Sequence, residues 1–153
     1  MTYAQKLQKL REIMTEAGLA GFIVPRTDEY QGEYVAENAE RLAWLTGFTG
    51  SAGVAIVLSD TAMVMSDGRY TIQLESQVDG DLYALENSQV VKPQEWMVKA
   101  EVAGAIGYDP KLHTPKDIAA NTPPIRPRLL PLPSPLWPAL PMRRKTSGLE
   151  PAR

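Results

Sequence analysis

The chain has 153 residues, of which 44% are hydrophobic and 22% are charged, so it is long enough for one domain with a buried core. It contains no cysteine, which excludes disulfides and thiolate metal sites, and its single histidine, His113, excludes a histidine-rich zinc centre. Residues 1–120 hold 10 Lys and Arg against 17 Asp and Glu, and this net charge of −7 argues against nucleic acid as a partner.

The sequence also bears on the cellular compartment. No run approaches 18 consecutive apolar residues, so no membrane span is predicted. The first residues, MTYAQKLQKLREIM, carry charge throughout and lack an apolar secretion segment. Together with the lack of cysteine, these features predict a cytoplasmic protein that does not bind a membrane.

The pattern of apolar residues predicts alternating helices and strands. Apolar residues at spacings of three and four from Tyr3 to Ala17 predict an amphipathic helix that ends at Gly18. The apolar run Phe22-Ile23-Val24 before Pro25 is typical of a buried strand. The later predicted elements are a loop over 27–37, a helix over 40–45, strands over 53–58 and 62–66, a helix over 70–78, a strand over 82–85, a helix over 93–100 and a strand over 105–108. This order predicts an α/β fold in which a mixed β-sheet is flanked by helices.

The composition changes after about residue 120. Residues 121–153 hold nine of the 13 prolines, six Lys and Arg, and a single acid, Glu150. Because proline recurs every two or three residues over 129–141, that segment cannot form a helix or a central strand. We therefore predict a folded domain over 1–120 and an irregular Pro-rich tail over 121–153, either disordered or translated from a shifted reading frame. The alternative interpretation of the tail is a polyproline ligand for an aromatic groove.

Three glycines at a spacing of three, Gly47, Gly50 and Gly53, precede the hairpin predicted over 53–66. A dinucleotide-binding loop needs G-x-G-x-x-G between a strand and a helix, whereas these glycines lie between a helix and a strand. No Gly-Lys-Ser or Gly-Lys-Thr occurs, so a Walker-type phosphate loop is absent from the sequence as well. Turn formation and close packing are therefore favoured over nucleotide binding.

Two further patterns are better explained without chemistry. Ser51 lies in a sequence similar to the nucleophile elbow G-x-S-x-G, but position 49 is threonine and the serine leads into a predicted strand. Since His113 is the sole histidine that could act as its base, we interpret Ser51 as a turn hydroxyl that bonds the backbone. A run of acids lacks the spacing of a calcium loop and is typical of a solvated face; it comprises Asp28, Glu29, Glu33, Glu37 and Glu40.

The segment Asp67-Gly68-Arg69-Tyr70 follows the hairpin and is the strongest candidate for chemistry. An Asp-Gly turn fixes the backbone just before Arg69, so that its guanidinium can meet a carboxylate or a carbonyl. In the alternative interpretation, Arg69 is a surface charge and Tyr70 is a core aromatic residue. The residues by themselves leave both interpretations open.

Three pieces of the chain resemble, in order and spacing, the N-terminal domain of cytosolic Xaa-Pro aminopeptidases, which belong to the creatinase/prolidase family. The pieces are residues 48–53 (FTGSAG), 67–70 (DGRY) and 95–96 (EW), accompanied by 24–26 (VPR) and 106–110 (IGYDP). The resemblance covers about residues 1–117, and beyond that the Pro-rich tail departs from the family. It implies an α/β domain with a ribonuclease-H-like mixed sheet.

The resemblance also implies a function. Family members remove an N-terminal residue that precedes proline, using two divalent ions, usually manganese, to activate the attacking water. Their metal ligands are two Asp, one His and two Glu in a later domain, so the resemblance implies neither a catalytic nor a metal-binding residue in this chain, and no activity for this chain by itself. It implies a single substrate-binding residue, Arg69, which would reach toward the peptide.

The same resemblance implies the partners. The expected partner of the whole enzyme is a peptide with proline in its second position, and self-association into a homodimer is a further expectation for the chain. The alternative from another class is a stand-alone peptide-binding or interaction module without catalysis.

Overall fold

The computed structural model describes residues 2–26, 40–109 and 129–131, the last three as backbone only. The loop predicted over 27–37, four acids of the predicted solvated face and His113 lie outside the described residues, as does the rest of the predicted tail. Of the helices in the described part, the longest has 14 residues, and none combines the length and apolar character that a membrane span requires.

The described residues form four α-helices and six β-strands. The helices are α1 (Tyr3–Glu16), α2 (Arg41–Thr46), α3 (Thr71–Gln77) and α4 (Pro93–Lys99). The strands are β1 (Gly21–Pro25), β2 (Val54–Leu58), β3 (Ala62–Ser66), β4 (Ala84–Asn87), β5 (Ile106–Tyr108) and β6 (Leu129–Pro131).

Local chemistry sets the ends of several helices. At the start of α1, the Thr2 hydroxyl accepts a hydrogen bond from the Gln5 backbone, and the Gln5 side chain accepts one from the Thr2 backbone. Helix α2 ends at Gly47, whose φ of 85° lies in the left-handed region that glycine adopts without strain. Helix α4 begins with Pro93 at its first turn, where a missing N–H costs no hydrogen bond.

The six strands form one mixed sheet in the order β4-β3-β2-β1-β5-β6. Strand β2 is antiparallel to its neighbours β1 and β3, whereas the β1–β5, β3–β4 and β5–β6 pairs are parallel. The prediction of a mixed sheet flanked by helices is therefore confirmed. Because every strand except β2 runs in the same direction, their carboxyl ends meet at a single edge. We call this the carboxyl edge, marked by Pro25, Ser66, Asn87 and Tyr108.

Side chains of the central strands alternate between two cores, as the period of two of a strand requires. One core lies between the sheet and helices α1, α2 and α3; its strand residues are Phe22, Val24, Ala55, Val57, Ala62 and Val64. The other core lies on the opposite face, where Trp96 and Met97 of α4 pack on Ile23, Ile56, Leu58, Met63, Met65 and Ile106. Both faces are apolar, which is why these strands read as continuous hydrophobic runs in the sequence.

Two predicted elements start later than the sequence indicates. Strand β4 begins at Ala84 and not at residue 82, because the backbone N–H groups of Leu82 and Tyr83 donate to the Asp79 carbonyl and form a turn. The helix predicted from Tyr70 begins at Thr71, after a 3₁₀ turn over Gly68–Tyr70. Both shifts arise where a turn competes with the regular element for the same backbone donors.

Strand β6 is formed by three residues of the segment predicted to be a Pro-rich tail. Leu129–Pro131 pairs in parallel with β5 and occupies an end of the sheet. This position agrees with the expectation that the segment cannot form a central strand, because an edge strand needs ladder hydrogen bonds on one side and therefore tolerates Pro131.

Candidate functional site

The candidate site begins where β3 ends at the carboxyl edge. Asp67 follows β3 directly, and its Oδ1 accepts a hydrogen bond of 3.0 Å from the Arg69 backbone N–H, which caps the 3₁₀ turn over Gly68–Tyr70. A Cβ atom at Gly68 would lie 2.9 Å from Oε1 of Gln89, at the end of a flexible side chain, so the segment after β4 lies close to this turn. The Asp-Gly turn that the sequence predicts is therefore present, and it fixes the backbone immediately before Arg69.

The Arg69 guanidinium lies against the carboxylate of Asp67. Its Nε donates to Oδ1 at 3.1 Å and its Nη2 donates to Oδ2 at 2.8 Å, a bidentate contact. The guanidinium lowers the pKa of Asp67 through these hydrogen bonds, and the carboxylate raises the pKa of Arg69. The Arg69 side chain is nevertheless 70% exposed. It is thus a charged group with a fixed orientation that still faces solvent.

The Tyr70 ring packs against the Arg69 guanidinium. The Cζ of Arg69 lies 5.2 Å from the centroid of the Tyr70 ring, within the range of a cation–π contact. The rings of Tyr70 and Phe48 make an edge-to-face contact, with centroids 6.1 Å apart and ring planes at 81°. The Tyr70 hydroxyl contacts the Ser51 hydroxyl. Tyr70 is half-buried, so it is neither a full core residue nor a free surface one.

The contact between Ser51 and Tyr70 corrects the interpretation of Ser51. We expected its hydroxyl to bond the backbone of its own turn, but its partner is a side chain 19 residues later in the chain. The reason is that the loop holding Ser51 and the turn holding Tyr70 both lie at the carboxyl edge.

Gly50 and Gly53 make room for the Phe48 ring. A Cβ atom at Gly50 would lie 2.3 Å from Cζ of Phe48, and one at Gly53 would lie 3.0 Å from its Cε1. Phe48 is fully buried, so its ring has no space into which it can move. The role of close packing predicted for these glycines is therefore what the structure shows. Through Phe48 and Tyr70, the glycine-rich loop is connected to Arg69.

Polar contacts hold this glycine-rich loop on the domain. The Ser66 hydroxyl donates to the Ala52 carbonyl at 2.6 Å. The Thr49 hydroxyl accepts from Nε2 of Gln77 at 2.8 Å and from Nε2 of Gln73 at 3.1 Å. The loop is thus bonded to β3 and to α3, the two elements that flank the turn holding Arg69.

A small cleft of about 120 Å³ lies beside Asp67, between α3 and the ends of β3 and β4. Three carboxylates line it, those of Asp67, Glu75 and Glu86. The other lining residues are Ser66, Thr71, Leu74, Leu85 and Asn87. The cleft next to Asp67 is therefore acidic.

The structure reveals a buried ion pair that the sequence analysis missed. Nη1 of Arg41, at the start of α2, lies 2.5 Å from Oδ2 of Asp109, which follows β5. The two side chains are only 17% and 7% exposed. Because 68 residues separate the partners, no local pattern could have indicated this pair.

The described residues contain no group of three or more His, Cys, Asp and Glu side chains arranged to hold a metal ion. The residues of this part of the chain therefore do not fit a dinuclear metal centre. Of the acids of the predicted solvated face, the described part includes Glu40, which precedes the first residue of α2.

The chain is similar in sequence to proteins of a known family. Residues 6–121 match the model of the Creatinase/Prolidase N-terminal domain. A protein named "Probable Xaa-Pro aminopeptidase P" from Coccidioides posadasii is 40% identical over 114 residues, which are 72% of this chain and 19% of that protein. The chain thus spans about a fifth of the length of the curated relatives that it matches.

Solved structures share the fold. The X-prolyl aminopeptidase of Caenorhabditis elegans, described as a cytosolic enzyme with a di-nuclear active site, matches with a TM-score of 0.74 and 27% identity, covering 92% of this chain and 26% of that one. The N-terminal domain of the cytoplasmic peptidase PepQ from Mycobacterium tuberculosis matches with a TM-score of 0.68 and 23% identity, covering 88% of this chain and 97% of that one.

Proposed function

Because the chain belongs to the family of creatinase/prolidase N-terminal domains, we propose that it is the non-catalytic, peptide-contacting domain of a Xaa-Pro aminopeptidase. In this proposal the whole enzyme removes the N-terminal residue that precedes proline. The substrate is a peptide with proline in its second position. Arg69 is the substrate-binding residue of the domain, and it supplies N–H donors to the peptide.

The observation that carries this proposal is that the Arg69 side chain is held in one orientation and is nevertheless exposed. Its guanidinium is held by two hydrogen bonds to Asp67 and lies over the Tyr70 ring, yet its side chain is 70% exposed. A surface arginine without a role pays side-chain entropy for such ordering and gains little from an exposed ion pair. Ordering a donor before a ligand arrives lowers the cost of binding, which is what a substrate contact needs.

Catalysis is assigned to a domain other than this one. Two divalent ions, manganese in our proposal, would activate the attacking water there, since the described residues of this chain do not fit such a centre. The Caenorhabditis elegans neighbour, which is described as cytosolic, supports the proposed location alone. We place the enzyme in the cytoplasm and consider a homodimer as its assembly, which sedimentation of the purified chain can test.

A turnover assay tests the assignment of catalysis. The purified 153-residue chain is incubated with manganese and a bradykinin-type peptide, which has proline in its second position. We expect no release of the first residue, because the chain supplies no dinuclear centre among its described residues. Turnover that persists after further purification contradicts the proposal that this domain is non-catalytic.

A binding experiment tests the role of Arg69. The side-chain Nε–Hε signal of Arg69 is followed by NMR while the tripeptide Ala-Pro-Ala is added to the full chain. We expect weak binding, with dissociation constants on the order of millimolar, because a single arginine contact contributes little by itself. Binding in the micromolar range would support the stand-alone peptide-binding module instead. No perturbation of the Arg69 signal would contradict the assignment of a peptide contact to this residue.

A further inference from the structure

We propose that Asp67 is a positioning residue that holds one edge of the Arg69 guanidinium, and that the charge-balanced pair takes a neutral peptide carbonyl in preference to a carboxylate. This inference rests on the proposed function, since it names the chemical group that Arg69 contacts. It assigns a role to Asp67 and a selectivity to the site.

The geometry of the pair defines which donors face outward. A guanidinium has five N–H donors, and Asp67 occupies two of them, one on Nε and one on Nη2. Three donors remain, both on Nη1 and the second on Nη2, and no other described side chain accepts from them in the hydrogen bonds of this site. One N–H of Nη1 and the free N–H of Nη2 form the outer edge of the guanidinium, opposite to Nε, and the other Nη1–H points back toward Cδ. Asp67 therefore leaves the outer edge of Arg69 available to a ligand.

The backbone makes this arrangement stiff. Oδ1 of Asp67 accepts from both Nε and the backbone N–H of Arg69, so the carboxylate is bonded to two parts of the same residue. The centroid of the Tyr70 ring lies 5.2 Å from Cζ of Arg69, so the ring covers one face of the guanidinium. Asp67 acts on the ligand only through Arg69, which is what distinguishes a positioning residue from a direct contact.

The charges of the Asp67–Arg69 pair determine which ligand group binds best at the outer edge of the guanidinium. Asp67 already supplies the counter-charge of Arg69, so a second carboxylate would bring an unbalanced negative charge to the site. A peptide carbonyl carries acceptor lone pairs without a net charge, and it accepts from the outer edge without this cost. The site is therefore suited to an internal carbonyl of a peptide and not to a terminal carboxylate.

The first experiment measures how firmly Asp67 holds Arg69. The solvent exchange rate of the Arg69 Hε proton is measured by NMR in the full chain and in the Asp67→Asn variant. Asparagine keeps the turn, because it caps a helical turn as well as aspartate does. We expect exchange to quicken by about two- to fivefold in Asp67→Asn, the range of an exposed ion pair. The matched control is Asp60→Asn, which removes an exposed acid in the turn between β2 and β3 and leaves the exchange rate unchanged.

The second experiment measures selectivity with two probes. Ala-Pro-Ala with a free carboxylate and Ala-Pro-Ala amide are each titrated into the wild-type chain and into Asp67→Asn, with the Arg69 Nε–Hε signal as the readout. In the wild type, we expect the amide to bind at least as tightly as the free acid. Asp67→Asn lacks the counter-charge. In this variant we expect the affinity for the free acid, relative to the affinity for the amide, to rise by about two- to fivefold.

The outcomes separate this inference from the proposed function. A wild-type preference for the free acid overturns the inference while the peptide contact of Arg69 stands, and so does a relative affinity for the two peptides that Asp67→Asn leaves unchanged. An Hε exchange rate that is the same in wild type and Asp67→Asn also overturns it. If neither peptide perturbs Arg69, the proposed function fails and the selectivity of the pair fails with it, whereas the exchange measurement still decides whether Asp67 holds Arg69.

Discussion

The edge-to-face contact between Phe48 and Tyr70, with ring centroids 6.1 Å apart, connects the two most distinctive sequence motifs of this chain. Phe48 belongs to the glycine-rich loop over 47–53, and Tyr70 supports the guanidinium of Arg69. A change in the loop that displaces Phe48 therefore reaches Arg69 through a single intervening side chain.

Gly50→Ala tests the packing role of the glycine-rich loop. The added Cβ would lie 2.3 Å from Cζ of the buried Phe48, so the ring must shift in a core without spare room. We expect the free energy of unfolding to fall by about 1–3 kcal/mol, as overpacking of a core generally costs. Urea unfolding followed by circular dichroism measures it.

Gly80→Ala is the matched control for this substitution. Gly80 has no atom within 4 Å of an added Cβ and its φ is not in the left-handed region, so we expect a change within about 0.5 kcal/mol. Equal losses in the two variants would show that the space around Phe48 is not what requires glycine at position 50.

Tyr83→Phe tests a buried hydroxyl. Tyr83 is 2% exposed, and within the described part of the chain its hydroxyl is the one fully buried side-chain polar atom without a hydrogen-bond partner. The same burial raises the pKa of Tyr83, since it penalises the phenolate. Because the unpaired hydroxyl costs free energy and the ring is retained, we expect Tyr83→Phe to leave stability unchanged or to raise it by about 1 kcal/mol.

The comparison for Tyr83 is Tyr70→Phe. This change removes a hydroxyl that has a partner, Ser51, and we expect it to lower the free energy of unfolding by about 0.5–1.5 kcal/mol. Thermal unfolding of both variants measures the difference. A loss at Tyr83→Phe as large as the loss at Tyr70→Phe would mean that the Tyr83 hydroxyl is bonded in solution.

Arg41→Met tests the buried ion pair between α2 and the end of β5. The substitution removes the Arg41 guanidinium from the carboxylate of Asp109, which is 7% exposed. We expect the free energy of unfolding to fall by up to about 3–5 kcal/mol, the usual range for removing one partner of a buried ion pair. The exposed pair of Arg69 and Asp67 supplies the control, because Arg69→Met removes the same type of partner at the surface and should change the urea midpoint little. Similar midpoints for the two variants would contradict a structural role for the buried pair.

The pH dependence of the Asp67–Arg69 pair has a defined sign. Arg69 lowers the pKa of Asp67 in the folded state below the value of about 3.9 that applies to an unfolded chain. The pair therefore contributes stability above pH about 3.9, and that contribution is lost as the pH falls through the lowered pKa of the folded state. Because both groups face solvent, we expect the effect on stability to be small and to weaken with added salt.

A carboxyl titration of Asp67 by carbon-13 NMR measures this shift directly. We expect a midpoint below the usual range in the wild type and a return toward that range in Arg69→Met. A wild-type midpoint at the usual value would show that the guanidinium does not rest on Asp67 in solution.

The elements of the fold were predictable where the information was local. The apolar runs over residues 54–58 and 62–66, separated by a polar turn, predicted β2 and β3, and the spacing of three and four over the first 16 residues predicted α1. The prediction was less accurate for β4, where the turn made by Leu82, Tyr83 and Asp79 replaces the first two residues of the expected strand. Apolar residues in that turn carry the same hydrophobic signal as a strand, so periodicity could not separate the two.

The sequence by itself determined that Arg69 follows a rigid turn, because Asp67, Gly68 and Arg69 are consecutive neighbours whose hydrogen bonds form within three residues. It could not determine what lies around this arginine. The contacts of Tyr70 with Phe48 and Ser51, and of Arg41 with Asp109, join residues 19 to 68 positions apart. They exist only because the strand order brings the ends of β1, β3, β4 and β5 to one edge. Turn chemistry acts between covalent neighbours, whereas strand pairing depends on which distant segments bury each other's apolar faces, and that choice is made by the tertiary structure as a whole.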